Sequence, residues 1–211
     1  MTDTGTSQES TVVPRPPGKR EKWRFLRMAA IDFGPLRAHR DFRLFFTGQL
    51  VSHFGNTLTM VAVMYQVFAL THSTLAVGIF GLVQFVPLLL LAFVGGALAD
   101  AFDRRRMVQF TELSLAVLSG ALLINALQPA PHLWLLYLVG MLAAGLAALQ
   151  RPSLSALLPR LVERDEIVAA VALRRALQSV GQILGPAIAG VLIAFVGLAS
   201  TYGIDVVTFI V

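Results

Sequence analysis

Three consecutive arginines, Arg104-Arg105-Arg106, stand between two apolar runs at 74–99 and 107–127. Each run is about long enough, as a helix, to cross a hydrocarbon core of roughly 30 Å. Only structures that satisfy their own backbone hydrogen bonds can span lipid, so two such runs joined by so short a charged connection constrain the chain to helices. Arginines in a short connection between spans place that connection on the cytoplasmic side.

Composition agrees with this reading. Charged residues are 14% of the chain, against about a quarter in ordinary soluble domains, and the mean hydropathy is +0.72. A soluble globular protein is thereby excluded. Cysteine is absent, which removes disulfides, thiolate metal sites and cysteine nucleophiles. The histidines (His39, His53, His72 and His132) are scattered and form no ligand spacing, and no phosphate-binding loop, nucleophile elbow or dinucleotide fingerprint occurs. No motif reads as an enzyme's, and no cofactor or metal is expected.

Six spanning segments are expected in an all-α membrane protein, at about 44–70, 74–99, 107–127, 133–158, 168–196 and 199–211. Residues 1–40 form a basic cytoplasmic tail, partly disordered, in which 23–31 mixes arginines with Trp23 and Phe25. That mixture suits either a solvated tail or a short helix on an anionic leaflet. In the first span Gln49, Ser52, His53, Asn56 and Thr59 recur at steps of three and four, making one polar stripe on an apolar helix. Such a stripe faces protein or water: interhelical hydrogen bonding is one reading, and the lining of a water-filled cavity is the one a stripe this long favours. The fourth span, with Gly140, Ala144 and Ala148 four apart, presents a close-packing face.

The fifth span separates two faces. Arg175, Gln178 and Gln182 make a polar stripe, whereas Gly181, Gly185 and Ala189 make a small-residue face with Pro186 and Gly190 beside it. Glu112 and Asp205 are the only carboxylates inside the expected spans. Glu112 is read either as snorkelling to the interface or pairing with an arginine, or as a proton-carrying group. By elimination, any proton coupling within this chain falls to Glu112 or Asp205.

The basic residues supply an orientation. Nine lie in the amino-terminal stretch up to Arg43, three are Arg104–Arg106, and five (Arg151, Arg160, Arg164, Arg174 and Arg175) lie from the end of the fourth span through the first turns of the fifth. The expected outer turns at 71–73, 128–132 and 197–200 have none. This asymmetry marks one side of a membrane and places the amino terminus in the cytoplasm. Nucleic acid is accordingly not expected as a partner, and the lipid bilayer is.

The spacing Gly96-x-Leu98-x-Asp100-x-x-x-Arg104-Arg105-Arg106 resembles the loop between helices two and three of the major facilitator superfamily, with Ala101 at a usually basic position and Asp103 where glycine is common. The run Gly181-x-x-x-Gly185-Pro186-x-x-Ala189-Gly190 resembles the helix-five motif of that superfamily's exporters, with Ala172 in place of its first glycine. Together with Phe42–Gly55 and Ser155–Val162, these residues resemble the branch holding enterobactin-type siderophore exporters and macrolide efflux pumps. The resemblance implies a bacterial inner-membrane protein working by alternating access, with proton-driven antiport of a small amphiphilic solute. It implies that Asp100 and the arginines form a charged latch beside Gly96, and that Gln49, Ser52, His53, Asn56, Arg175, Gln178 and Gln182 line the cavity. It further implies a partner bundle of six helices, because sites of this fold lie between two halves. Residues 198–211 would span only about 21 Å at 1.5 Å per residue, so the sixth helix is expected to be incomplete and this stretch alone not to transport. The contrasting readings are a non-transporting membrane polypeptide or interaction subunit, and lipid flipping by the same fold.

Overall fold

The computed structural model describes residues 33–101 and 103–210, with the backbone alone for 92–101, 104 and 210. The expected basic tail up to residue 32 lies outside the described residues. A short helix α1 (Gly34–Ala38) leads into α2 (Arg40–Thr71), α3 (Thr74–Ala101), α4 (Arg104–Ala126) and α5 (Leu133–Leu157). A turn of 3₁₀ helix at Leu158–Arg160 then precedes α6 (Ile167–Ile210), and no strand occurs among the described residues.

Local chemistry sets the ends of these helices. His72 takes a left-handed conformation (φ 49°) and its N–H donates to the Phe68 carbonyl at 2.7 Å, which stops α2 after Thr71. Asp103 caps α4, its Oδ1 accepting from the backbone N–H groups of Arg105 (2.9 Å) and Arg106 (3.4 Å). The carboxylate standing where the resembling loop has glycine thus satisfies two donors that a helix start leaves orphaned. Because of that cap the helix includes the three arginines, starting earlier than the apolar run at 107. At the far end, buried Asn125 clasps the backbone of His132, accepting from its N–H at 2.8 Å and donating to its carbonyl at 3.3 Å. The turn between α4 and α5 is therefore held by a side chain of the helix that precedes it.

α6 has 44 residues, about 66 Å if straight and twice the hydrocarbon core. Gly197 breaks it with φ 81° and ψ 170°, a region that only glycine visits readily. The neighbours of each arm give the path. Gly181 and Gly185 lie against His53 and Thr57 on the outgoing arm, whereas Tyr202 meets Gln66 and Asp205 meets Thr59 on the return. The first arm therefore runs parallel to α2 and the second antiparallel to it. Five helices among the described residues are long and apolar enough to cross a membrane, and after Gly197 the last of them turns back along α2.

Packing pairs α2 with α6 and α3 with α5, while α4 lies against both α5 and α6. One apolar core joins Val63, Val67, Phe80, Leu122, Leu136 and Tyr202. A second, near the start of α2, joins Phe42, Leu158, Val162 and Leu173. Beside it the His39 Nε2 and a Glu166 carboxylate oxygen, 2.6 Å apart, tie the entrance of α2 to that of α6. Gly140 admits the Phe80 ring, where a Cβ would overlap it, and Gly145 lies against Pro87 and Leu91. The small-residue side of α5 is thus the seam with α3.

The distribution of side chains is inverted relative to a water-soluble domain. Phe195 is 85% exposed and Ile183 74%, while Gln66, Ser119, Asn125, Thr201 and Asp205 are buried. A surface this apolar around a polar interior belongs in hydrocarbon. The chain is a multi-pass membrane protein.

Candidate functional site: a polar column and two joined cavities

The stripe on α2 is the spine of the site. Its 3.6-residue periodicity turns Gln49, Ser52, His53, Asn56 and Thr59 toward the bundle, and two carboxylates from other helices come to meet it. Glu112 of α4 accepts from Gln49 (3.3 Å) and Gln150 (2.7 Å) at Oε1, and from Ser52 (3.1 Å) at Oε2. It is therefore shared among α2, α4 and α5 by neutral donors. Among the described residues it forms no ion pair, so the arginine partner that the sequence offers as one reading is not found there.

Asp205, on the returning arm of α6, is fully buried. Its Oδ2 accepts from Thr59 Oγ1 at 2.5 Å and from Ser119 Oγ at 2.6 Å, and its Oδ1 from Thr208 Oγ1 at 3.3 Å. Ser119 lies seven residues beyond Glu112, on the same face of α4 and about 10 Å along it. The two carboxylates are thus two levels of one polar column. Gly55 leaves room for the upper level, since a Cβ there would overlap Asp205 and Thr208.

α6 reaches α2 through its small residues. A Cβ on Gly181 would stand 2.6 Å from His53 Nε2, and one on Gly185 would overlap Thr57. Gly181, Gly185 and Ala189 are all buried on this face. Pro186 and Gly190 are exposed, and Gly190 has open space where its Cβ would be. His53 Nε2 is buried by this contact and has no hydrogen-bond partner among the described residues.

Two cavities flank the column. The polar one, about 130 Å³, is bounded by Gln49, Ser52, His53, Asn56, Glu112, Gln150, Arg151, Arg174 and Gln178, with Leu115, Leu154 and Phe209 among its apolar walls. The other, about 310 Å³, is bounded mainly by apolar and small residues of α2, α3, α4 and α5, including Met60, Phe80, Phe85, Leu88 and Ala144. Asn56, Ala147 and Arg151 line both, so the chambers adjoin. Five of the seven residues expected along the cavity therefore line the polar chamber. Arg175 and Gln182 lie outside it and are exposed, while the neighbouring Arg174 takes the inward position. Gln150, Arg151, Arg174 and Ser119 were not expected from the stripe. Their one signal in the sequence is polarity within an apolar context, with Ser119 a heptad from Glu112. For the loop, Gly96 and Asp100 lie on the helical backbone of α3, and the side chains of Asp100 and Arg104 are outside the described residues. Arg105 and Arg106 are exposed at the start of α4.

Residues 30–211 match the family of transmembrane secretion effectors within the major facilitator group. The chain belongs to this family. The Enterobactin exporter EntS of Citrobacter koseri is 34% identical over 178 residues, covering 82% of this chain and 42% of that protein. The Enterobactin exporter EntS of Shigella boydii is 33% identical over 178 residues, and that of Salmonella typhi 32% over 174, with the same coverages of 82% and 42%. The chain thus spans less than half the length of the curated relatives it matches. No solved structure matches it. The helical, multi-pass architecture is that of the amino-terminal half of a major facilitator transporter, as the loop and helix-five motifs imply.

Proposed function

We propose that this chain is the amino-terminal bundle of a bacterial inner-membrane exporter. It moves small amphiphilic solutes outward by alternating access, in exchange for protons. The observation that carries this reading is the pair of adjoining chambers, one polar and one predominantly apolar, meeting at Asn56, Ala147 and Arg151. An amphiphile needs two such environments side by side, and a solute binding within a bundle is desolvated on both its faces. The printed names of the relatives support export, and their greater length supports a second bundle closing over the first. A site between two halves is the general arrangement in transporters of this kind.

Glu112 and Asp205 carry the protons in this reading. Each is a carboxylate within a span, held by neutral donors instead of a cation, and intramembrane carboxylates of this sort belong to ion pathways. Gly96, Asp100 and Arg104–Arg106 form the gate at the cytoplasmic end, where the positive-inside pattern puts the amino terminus. The test is direct. The full-length protein in proteoliposomes should accumulate an amphiphilic dye against its concentration gradient only when a proton gradient of the correct sign is imposed. Accumulation that ignores the proton gradient, or none at all, would contradict the proposal.

A further inference from the structure

We infer that the polar chamber receives an anionic group of the transported solute (a carboxylate, sulfonate or phenolate) against Arg151 and Arg174, while the solute's apolar body lies in the adjoining chamber. The inference rests on the export reading and names the class of solute.

It starts from which donors Glu112 has engaged. Both of its oxygens are filled by Gln49, Ser52 and Gln150, all neutral. Neither arginine is spent on it, and no ion pair joins either to a carboxylate among the described residues. Arg174 donates from Nη1 to Ser155 Oγ at 3.3 Å, leaving most of its five N–H donors without a partner among the described residues. Arg151 borders both chambers. Two guanidinium groups therefore share a small chamber with one carboxylate that other groups already satisfy.

The surroundings strengthen that positive balance. Apolar walls at Leu115, Leu154 and Phe209 lower the local dielectric around half-buried Arg174 and sharpen its field, while Arg151 stands exposed at the wall the two chambers share. Guanidinium is the side chain best matched to planar oxyanions, through paired N–H donors. A volume of about 130 Å³ admits a head group and a few waters but not a whole amphiphile, whose remainder has the 310 Å³ chamber. A cationic head group would instead meet like charge at the shared wall.

The experiment uses three probes with one aromatic body: naphthalenesulfonate, naphthalenesulfonamide and a naphthyl trimethylammonium. Binding to the full-length protein is measured in phosphatidylcholine nanodiscs, and efflux in proteoliposomes. Naphthalenesulfonate should bind most tightly, and Arg174→Gln or Arg151→Gln should each weaken it about tenfold or more, the worth of one charge-assisted hydrogen bond. Arg164→Gln removes the same charge from the exposed connection before α6 and should leave binding unchanged. The sulfonamide should be indifferent to all three substitutions, which also certifies that the variants are folded. Equal binding and efflux of the three probes, in wild type and variants alike, would overturn the anion site and leave export standing. Displacement of the sulfonate by phosphatidylglycerol in the disc would assign the arginines to lipid and likewise overturn it. Arginine-dependent binding without efflux would keep the site and sink the export reading.

Discussion

Thr59 Oγ1 donates to Asp205 Oδ2 at 2.5 Å, across 146 residues of sequence. The polar stripe of α2 therefore ends on a carboxylate carried by the last arm of the chain, and Ser119 of α4 closes on the same oxygen at 2.6 Å. This one group holds three helices together, and nothing else in the sequence says that they meet there.

Losing a donor to Asp205 should loosen that junction. Thr59→Val is expected to destabilise the bundle by about 1–3 kcal/mol, the cost of an underserved buried polar group. Thr47, whose hydroxyl bonds only to carbonyls of its own helix at Arg43 and Leu44, provides the comparison. Thermal unfolding in detergent should show a lower midpoint for Thr59→Val than for Thr47→Val. Equal midpoints would mean that the junction contributes nothing to stability.

The glycines of α6 should divide by position. Gly181→Ala drives a Cβ into the His53 ring, whereas Gly190→Ala meets open space. The first is expected to destabilise by about 1–3 kcal/mol through overpacking. The second should be neutral or slightly stabilising, since alanine favours helix over glycine. The same thermal assay distinguishes them, and a tolerated Gly181→Ala would show that α6 does not press on α2 at His53.

Asp103 is expected to act as a cap in a position where the resembling loop has glycine. Asp103→Ala should weaken the start of α4 by about 1 kcal/mol and Asp103→Gly by only a few tenths. Amide exchange at Arg105 and Arg106, whose N–H groups the carboxylate holds, reports this locally. Unchanged exchange in Asp103→Ala would remove the cap from the account.

Much of the fold was legible because a membrane imposes length and polarity on each pass. The runs of apolar residues, the arginines at their ends and the breaker Gly197 mark the passes, and Gly181, Gly185 and Ala189 mark the close face of α6. What stayed hidden depends on helix rotation and register. Arg174 and Arg175 differ by one residue, which is about 100° around a helix, and only packing decides which of them turns inward. Gln150 lies at the end of an apolar helix and reads as an interfacial residue until α4 is placed beside it. Ser119 reads as a hydroxyl bonded to its own helix, the usual habit of serine in such a span, until the returning arm of α6 brings Asp205 to it. Glu112 reads as a partner for an arginine until packing brings Gln49, Ser52 and Gln150 to it.

The arginine distribution predicts an amino terminus in the cytoplasm, and this can be tested chemically on a chain that has no cysteine of its own. A cysteine at Ser73 should react with a membrane-impermeant thiol reagent added outside intact cells. One at Glu163, in the exposed connection before α6, should react only after permeabilisation. The reverse pattern would invert the topology.

In the proposed function the column of Glu112 and Asp205 couples transport to protons, and the double variant Glu112→Gln/Asp205→Asn removes both carboxylates at once. In proteoliposomes containing the full-length protein, this variant should still exchange labelled for unlabelled solute across the membrane, because the chambers remain. It should fail to build a solute gradient when a proton gradient is imposed. Proton-driven accumulation by the double variant at the wild-type level would contradict the claim and move coupling away from these two residues.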